Sequence, residues 1–191
     1  MYVFSIFNPP RSNIMAANKK TRKEKVIEVL NKARSMELFA IHQYMNQHYN
    51  LSDKDYGELA ANMKLIAIDE MRHAEDFAER IKELGGEPTA QKDGSVKGGQ
   101  AVPVIYEDDV NLEDNTIEAY NQFIKICEEE GDNVTARLFE RIIDEEQIHL
   151  NYYENTSNHI KTLGDTFLAK IAGTPSDIGP SKGFVNGAEA E

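Results

Sequence analysis

The run Ile66-Ala67-Ile68-Asp69-Glu70-Met71-Arg72-His73-Ala74-Glu75 sets a glutamate and a histidine three residues apart inside an apolar repeat. On a helix, residues three apart are neighbours on one face. Met63, Ile66, Ala67 and Phe77 recur at helical spacing around the pair, which marks that face as the one turned to the core. A carboxylate buried there alone is costly, so the pattern calls for something that compensates its charge.

A second copy of the pattern says what. Ile142-Ile143-Asp144-Glu145-Glu146-Gln147-Ile148-His149 repeats Glu-x-x-His, with Phe139, Ile142, Ile143 and Tyr153 as its apolar stripe. Of the five histidines, only His73 and His149 have a glutamate three residues before them. In a four-helix bundle, two Glu-x-x-His helices and one inward glutamate from each of the other two helices build a carboxylate-bridged di-iron or di-manganese site. One Glu-x-x-His alone is weak evidence. Two of them, with a lone stripe glutamate on each remaining helix, form a specific set.

The chain supplies those glutamates. After a basic lead-in from Asn18 to Lys25, Val26, Leu30, Ala33, Ala40, Ile41, Tyr44 and His48 trace a first helix ending near Asn50, with Glu37 on the stripe. Ser52 is placed to cap the next helix, about Tyr56 to Leu84, which Gly85-Gly86 and Pro88 stop. Residues 85–109 then form a long Gly- and Pro-containing stretch with one extended-looking piece, Ala101 to Tyr106. A loop of that length fits a crossover running along a bundle. Its glycines, Gly94 to Gly99, lack the spacing of a phosphate-binding loop. The third helix starts near Val110 to Leu112 and runs to Glu130, with Glu113 among Val110, Ile117, Tyr120 and Ile124. Gly131-Asp132-Asn133 turns into a fourth helix, Val134 to Leu163, and Asp165 is placed to cap a short fifth one carrying Phe167, Leu168 and Ile171.

The expected organisation is therefore all-α: a disordered extension over 1–19, with Met15 an alternative start, one bundle with its short fifth helix over 20–172, and a flexible tail, disordered or loosely attached, over 173–191. The 191 residues suit one domain. Thirty-three acidic against twenty-one basic residues give a net charge of −12, which disfavours nucleic acid and anionic membranes as partners and attracts cations. Solubility alone accounts for such a charge equally well. The single Cys127 excludes an intrachain disulfide and a Cys-x-x-Cys metal site and fits a reducing, cytoplasmic setting. The first residues lack the basic region of a secretory signal, and no apolar run approaches the ~20 residues of a membrane span.

Three runs, Met36-Glu37-Leu38-Phe39-Ala40-Ile41-His42-Gln43-Tyr44, Ile68 to Ala74 and Asp144 to His149, resemble the bacterioferritins in order and spacing. The likeness spans about Lys20 to Ala172. It implies the ferritin-like bundle and a shell of twenty-four subunits built from twofold dimers. Such a shell takes up Fe(II), oxidises it with oxygen or hydrogen peroxide at a di-iron ferroxidase site, and stores ferric mineral. By the resemblance the ligands are Glu37, Glu70, His73, Glu113, Glu146 and His149, with Glu70 and Glu146 as bridges.

Further implications rest on the resemblance alone. Met71, rotated off the site onto a face with Ala67, Ala74 and Ala78, reads by itself as a packing residue; the family makes it an axial ligand of a haem-type iron porphyrin shared across a twofold axis. Tyr44 matches a tyrosine near the iron site, a candidate electron source. Asp69 matches part of an inner-surface iron site, where Leu65 replaces the family's histidine. The fifth helix matches a segment at the fourfold axis, and a ferredoxin-type donor is implied for iron release. Two other classes stay open: a di-iron peroxidase resembling rubrerythrin, and a non-catalytic helical module. The missing rubredoxin cysteines and the fifth helix favour the storage reading over the first of these.

Overall fold

The computed structural model describes residues 11–179 and 183–185, with side chains from Arg22 onward. Five helices follow one another: α1 (Arg11–Asp53), α2 (Gly57–Glu83), α3 (Val102–Glu129), α4 (Asn133–Leu163) and α5 (Asp165–Ile171). α1 pairs with α2 and α3 with α4 as two antiparallel hairpins. The crossover after α2 joins them into a four-helix bundle. Among the described residues there is no strand, and no helix is long and apolar enough to cross a membrane.

Several boundaries differ from the sequence reading. α1 begins at Arg11, so 11–19 are helical where a disordered extension is expected; 1–10 lie outside the described residues. From Arg11 to Asp53 the chain contains neither Gly nor Pro, so nothing interrupts propagation. Ser52 lies in the last turn of α1 and caps nothing; the turn is made by Asp55 at φ 63°, and the residue before α2 is Tyr56, without a side-chain cap.

The largest difference is the start of α3. Ala101 to Tyr106 is its entry rather than an extended piece, with Pro103 in the first turn, where a missing N–H goes unnoticed. Val102, Ile105, Tyr106 and Asp109 are buried at helical spacing, so the β-branched residues that suggest a strand are in fact core positions of a helix. Gly85 at φ 85° and Gly131 at φ 75° end α2 and α3 as expected. Asp132 accepts from the Thr135 amide and from both arms of the Arg80 Nη2 contact at 2.9 Å, which locks the α3–α4 turn to the end of α2. α5 follows Gly164, with Asp165 its first residue rather than its cap.

α1 holds the crossover through three amide side chains and one guanidinium. Asn31 donates to the Glu87 carbonyl, Arg34 to Thr89, Gln43 to Lys97 and Asn50 to Gln100. The tail is held as well, against expectation. Gly173 N–H donates to Asp55, the Glu58 amide donates to Thr174 Oγ1, and Thr174 bridges to Tyr56. The fit is tight: a Cβ on Gly57 would lie 1.7 Å from the Thr174 carbonyl oxygen, so only glycine lets α2 start there.

The core comes in two parts. One contains Tyr44, Leu51, Met63, Ile105 and Tyr153, the other Leu30, Phe77, Tyr120, Phe139 and Ile142. Between them, in the middle of the bundle, lies a layer of buried charge.

Candidate metal centre

Each of the four long helices contributes to that layer. Glu37 comes from α1, Glu70 and His73 from α2, Glu113 from α3, and Glu146 and His149 from α4. All six are at most 2% exposed. They form two overlapping quartets whose ligand atoms lie within 4.8 Å of one another: Glu37, Glu70, His73 and Glu146, and Glu70, Glu113, Glu146 and His149. Glu70 and Glu146 belong to both. The structure thus brings together all six residues singled out from the sequence.

The arrangement has an internal twofold character. Nδ1 of His73 is 3.1 Å from Glu70 Oε2 and 3.2 Å from Glu146 Oε1, while Nδ1 of His149 is 3.1 Å from both Glu146 Oε2 and Glu70 Oε1. Each imidazole therefore points its Nδ1 between its own helix's glutamate and the opposite one. Each turns Nε2 outward to an acid on the other helix: His73 to Glu145 Oε2 at 3.3 Å, and His149 to Asp69 Oδ2 at 3.5 Å. Such outer carboxylates fix ring orientation and raise ligand basicity.

The terminal glutamates are matched in the same way. Tyr44 donates to Glu113 Oε1 at 2.5 Å, and Tyr120 donates to Glu37 Oε1. Sequence reasoning found Tyr44 but treated Tyr120 as apolar packing and gave Glu145 no role. Both have a signal: Glu-x6-Tyr occurs on α1 and again on α3, and an acid precedes the glutamate of each Glu-x-x-His. Antiparallel helices turn these repeats into reciprocal partners. Arg34 donates to the Thr89 and Ala74 carbonyls, and Arg72 pairs with Asp69 at 3.0 Å, so neither arginine neutralises the cluster.

Electrostatics separates the four carboxyls. Burial, then the charges of Glu146 and Glu70, drives Glu37 and Glu113 well above the ordinary glutamate value. For Glu146 burial acts in the same direction, but His73 and His149 outweigh it and hold the group at about 2. Glu70 is likewise lowered, the two histidines prevailing over burial and Glu146. Burial opposes charge on the imidazoles, yet Glu146 raises His73 and Glu70 raises His149 well above the usual value. In the metal-free centre the shifts thus run apart: Glu37, Glu113, His73 and His149 upward, Glu70 and Glu146 downward.

Glu70 Oε1 and Glu146 Oε1, both buried, make no well-aligned hydrogen bond; their contacts are His149 Nδ1 at 3.1 Å and His73 Nδ1 at 3.2 Å. They belong to the two residues shared by the quartets. Carboxylate oxygens at the shared positions, aimed at the ligand nitrogens of both quartets, fit cations held between the halves. The nitrogen and oxygen donor set, without sulfur, suits iron or manganese.

The ferritin-like domain family matches residues 27–163. A bacterioferritin from Desulfovibrio desulfuricans is 76% identical over 177 residues, spanning 92% of this chain and 99% of that protein. The chain belongs to the bacterioferritin family. The solved structure of the Desulfovibrio desulfuricans bacterioferritin, described for its diiron site in different catalytic states, superposes with a TM-score of 0.84 at 77% identity, covering 87% of this chain and 98% of that one. The Mycobacterium tuberculosis bacterioferritin superposes at 0.73 with 32% identity over 77% of this chain and 93% of that one.

Met71 lies apart from the bacterioferritin centre, on the outside of α2 and 54% exposed. Ala67 and Ala74 beside it are covered within the chain and Ala78 is half-buried, so the small-residue face expected around the thioether is mostly occupied. The fully buried Asp69 is engaged by Arg72 and by the tail.

Proposed function

We propose that this chain takes up Fe(II), oxidises it within the bundle and stores the ferric product inside a twenty-four-subunit shell. The observation that carries this reading is the pair of overlapping quartets with Glu70 and Glu146 in common. Glu37 and His73 would hold one iron, Glu113 and His149 the other, and Glu70 and Glu146 would bridge. When bound, the iron pair supplies one-electron redox chemistry toward oxygen or hydrogen peroxide. The protein's part is to fix six donors in a dry layer, where burial strengthens every electrostatic contact. Tyr44, donating to Glu113, is the residue placed to supply an electron, and Tyr120 steadies Glu37.

The test is an anaerobic Fe(II) titration of the metal-free protein followed by admission of oxygen, with absorbance and particle size recorded together. Saturation at two irons per chain, fast oxidation and continued mineral growth in a large particle are expected. Two irons that cycle with peroxide in a small oligomer, without mineral, would move the function to peroxide reduction. No stoichiometric binding would leave only a helical module.

Met71 is proposed as the haem ligand, contributed by each member of a twofold dimer. Its exposed thioether on the outside of α2 supports this, since a twofold axis doubles one such residue into an axial pair. Replacement of Met71 by leucine is expected to remove the haem Soret band while particle size and Fe(II) oxidation persist. A retained Soret band would assign the porphyrin elsewhere. A cytoplasmic setting and a ferredoxin-type donor for iron release complete the reading.

A further inference from the structure

The two halves of the centre match in their inner residues but not in what lies behind the histidines. Behind His73, Glu145 is partly exposed and pairs at 3.2 Å with Arg141, itself half in solvent and also bound to Asp76 at 2.6 Å. Behind His149 the wall is the carboxy-terminal tail. The backbone N–H groups of Phe184 and Val185 donate to Asp69 Oδ2 at 2.6 and 3.0 Å, and Arg72 donates to Oδ1 at 3.0 Å. The Phe184 ring sits edge-on to His149 with centroids 6.3 Å apart and lies 5.1 Å from Tyr152.

The contact is a built one. Gly183 is buried at φ 95°, and a Cβ there would lie 1.9 Å from Asp69 Oδ1 and 2.4 Å from Arg72 Nη1. Only glycine lets two successive amides close on one carboxylate, a cradle of the kind backbone uses for anions. Asp69 in turn faces His149 Nε2. An aspartate whose oxygens are taken by an arginine and two amides is not free to hand a cation onward.

We propose that Gly183, Phe184 and Val185 make the two metal positions inequivalent: the tail clamps Asp69 and covers His149, so the Glu113–His149 position exchanges metal slowly and the Glu37–His73 position is the route of entry and exit. Gly183, Phe184 and Val185 are positioning residues that act through Asp69. The inference rests on the paired-metal reading of the centre and deepens it.

The test uses the assembled protein loaded anaerobically with Co(II), whose absorption bands report coordination, and follows release to excess chelator. The full chain is expected to release its two ions in two phases differing by about tenfold or more, the range that loss of an outer-shell partner spans. A chain ending at Gly179 keeps the Thr174 contacts and should release both ions at the faster rate. Phe184→Ala should quicken only the slow phase, and serves alone if the shortened chain fails to assemble. A single phase in the full chain, or two unchanged phases in the variants, overturns the inference while leaving the paired-metal site standing. Absence of Co(II) bands in the full chain overturns the paired-metal reading itself, and this inference with it.

Discussion

Replacing Glu70 with alanine is expected to eliminate metal binding at both positions and to slow Fe(II) oxidation by more than about 100-fold, beyond what loss of an outer-shell partner costs. Glu37→Ala, by contrast, should leave one ion bound per chain. The difference follows from the quartets, since Glu70 belongs to both and Glu37 to one. Glu146→Ala should copy Glu70→Ala, and Glu113→Ala should copy Glu37→Ala at the other position. Metal stoichiometry by calorimetry, with oxidation followed by absorbance, separates the two classes. Because the two hydrophobic parts of the core remain in every variant, particle size should not change. Rapid oxidation retained in Glu70→Ala would refute the assignment.

Loading the metal-free centre with divalent ions should release protons, and more of them as the pH is lowered from about 8 to about 6, because ligands must be deprotonated to bind. The groups that supply them are His73, His149, Glu37 and Glu113, whose shifts all run upward. Once filled, the layer has four carboxylates facing four metal charges. A pH-stat records the release directly; a release that does not change with pH over this range would mean that none of the four groups is raised.

The same shifts give the metal-free protein a particular pH dependence. Histidines raised in the folded state contribute stability below their ordinary value of 6.5 that is lost as pH climbs through the raised one. Glu37 and Glu113, also raised, bind protons that the unfolded chain has released above 4.5, so their contribution changes in the same direction. Glu146 acts oppositely: its contribution is present above 4.5 and is lost as pH falls toward about 2. Metal-free bundles should therefore melt at lower temperature as pH rises through neutrality.

Much of this centre is legible in the chain because helical periodicity makes misfits visible. A glutamate at a stripe position, as at Glu37 and Glu113, is conspicuous among Val, Leu and Ile. Tyr120 is not, since tyrosine belongs in a core as readily as near a metal, and only its bond to Glu37 separates the two roles. Glu145 and Asp69 lie one residue off their stripe and acquire meaning through a register between α2 and α4 that one helix cannot reveal. Val102, Val104 and Ile105 at the start of α3 carry strand propensity, which the burial of Val102 and Ile105 at helical spacing overrides. The tail's hold on Asp69 runs through backbone amides, which every residue but proline possesses, and so leaves almost no trace in composition.

The charged layer that divides the apolar core also divides the bundle's cooperativity. Every long helix has one half in each apolar part, so the natural breaking plane runs across the helices rather than between them. Without metal, amide hydrogen exchange should proceed in two blocks: one with the first half of α1, the end of α2, the end of α3 and the start of α4, the other with the complementary halves. Two ions held jointly by all four helices stitch those blocks into a single unit. The cargo's first resting place is then also the cross-brace of the wall that encloses it.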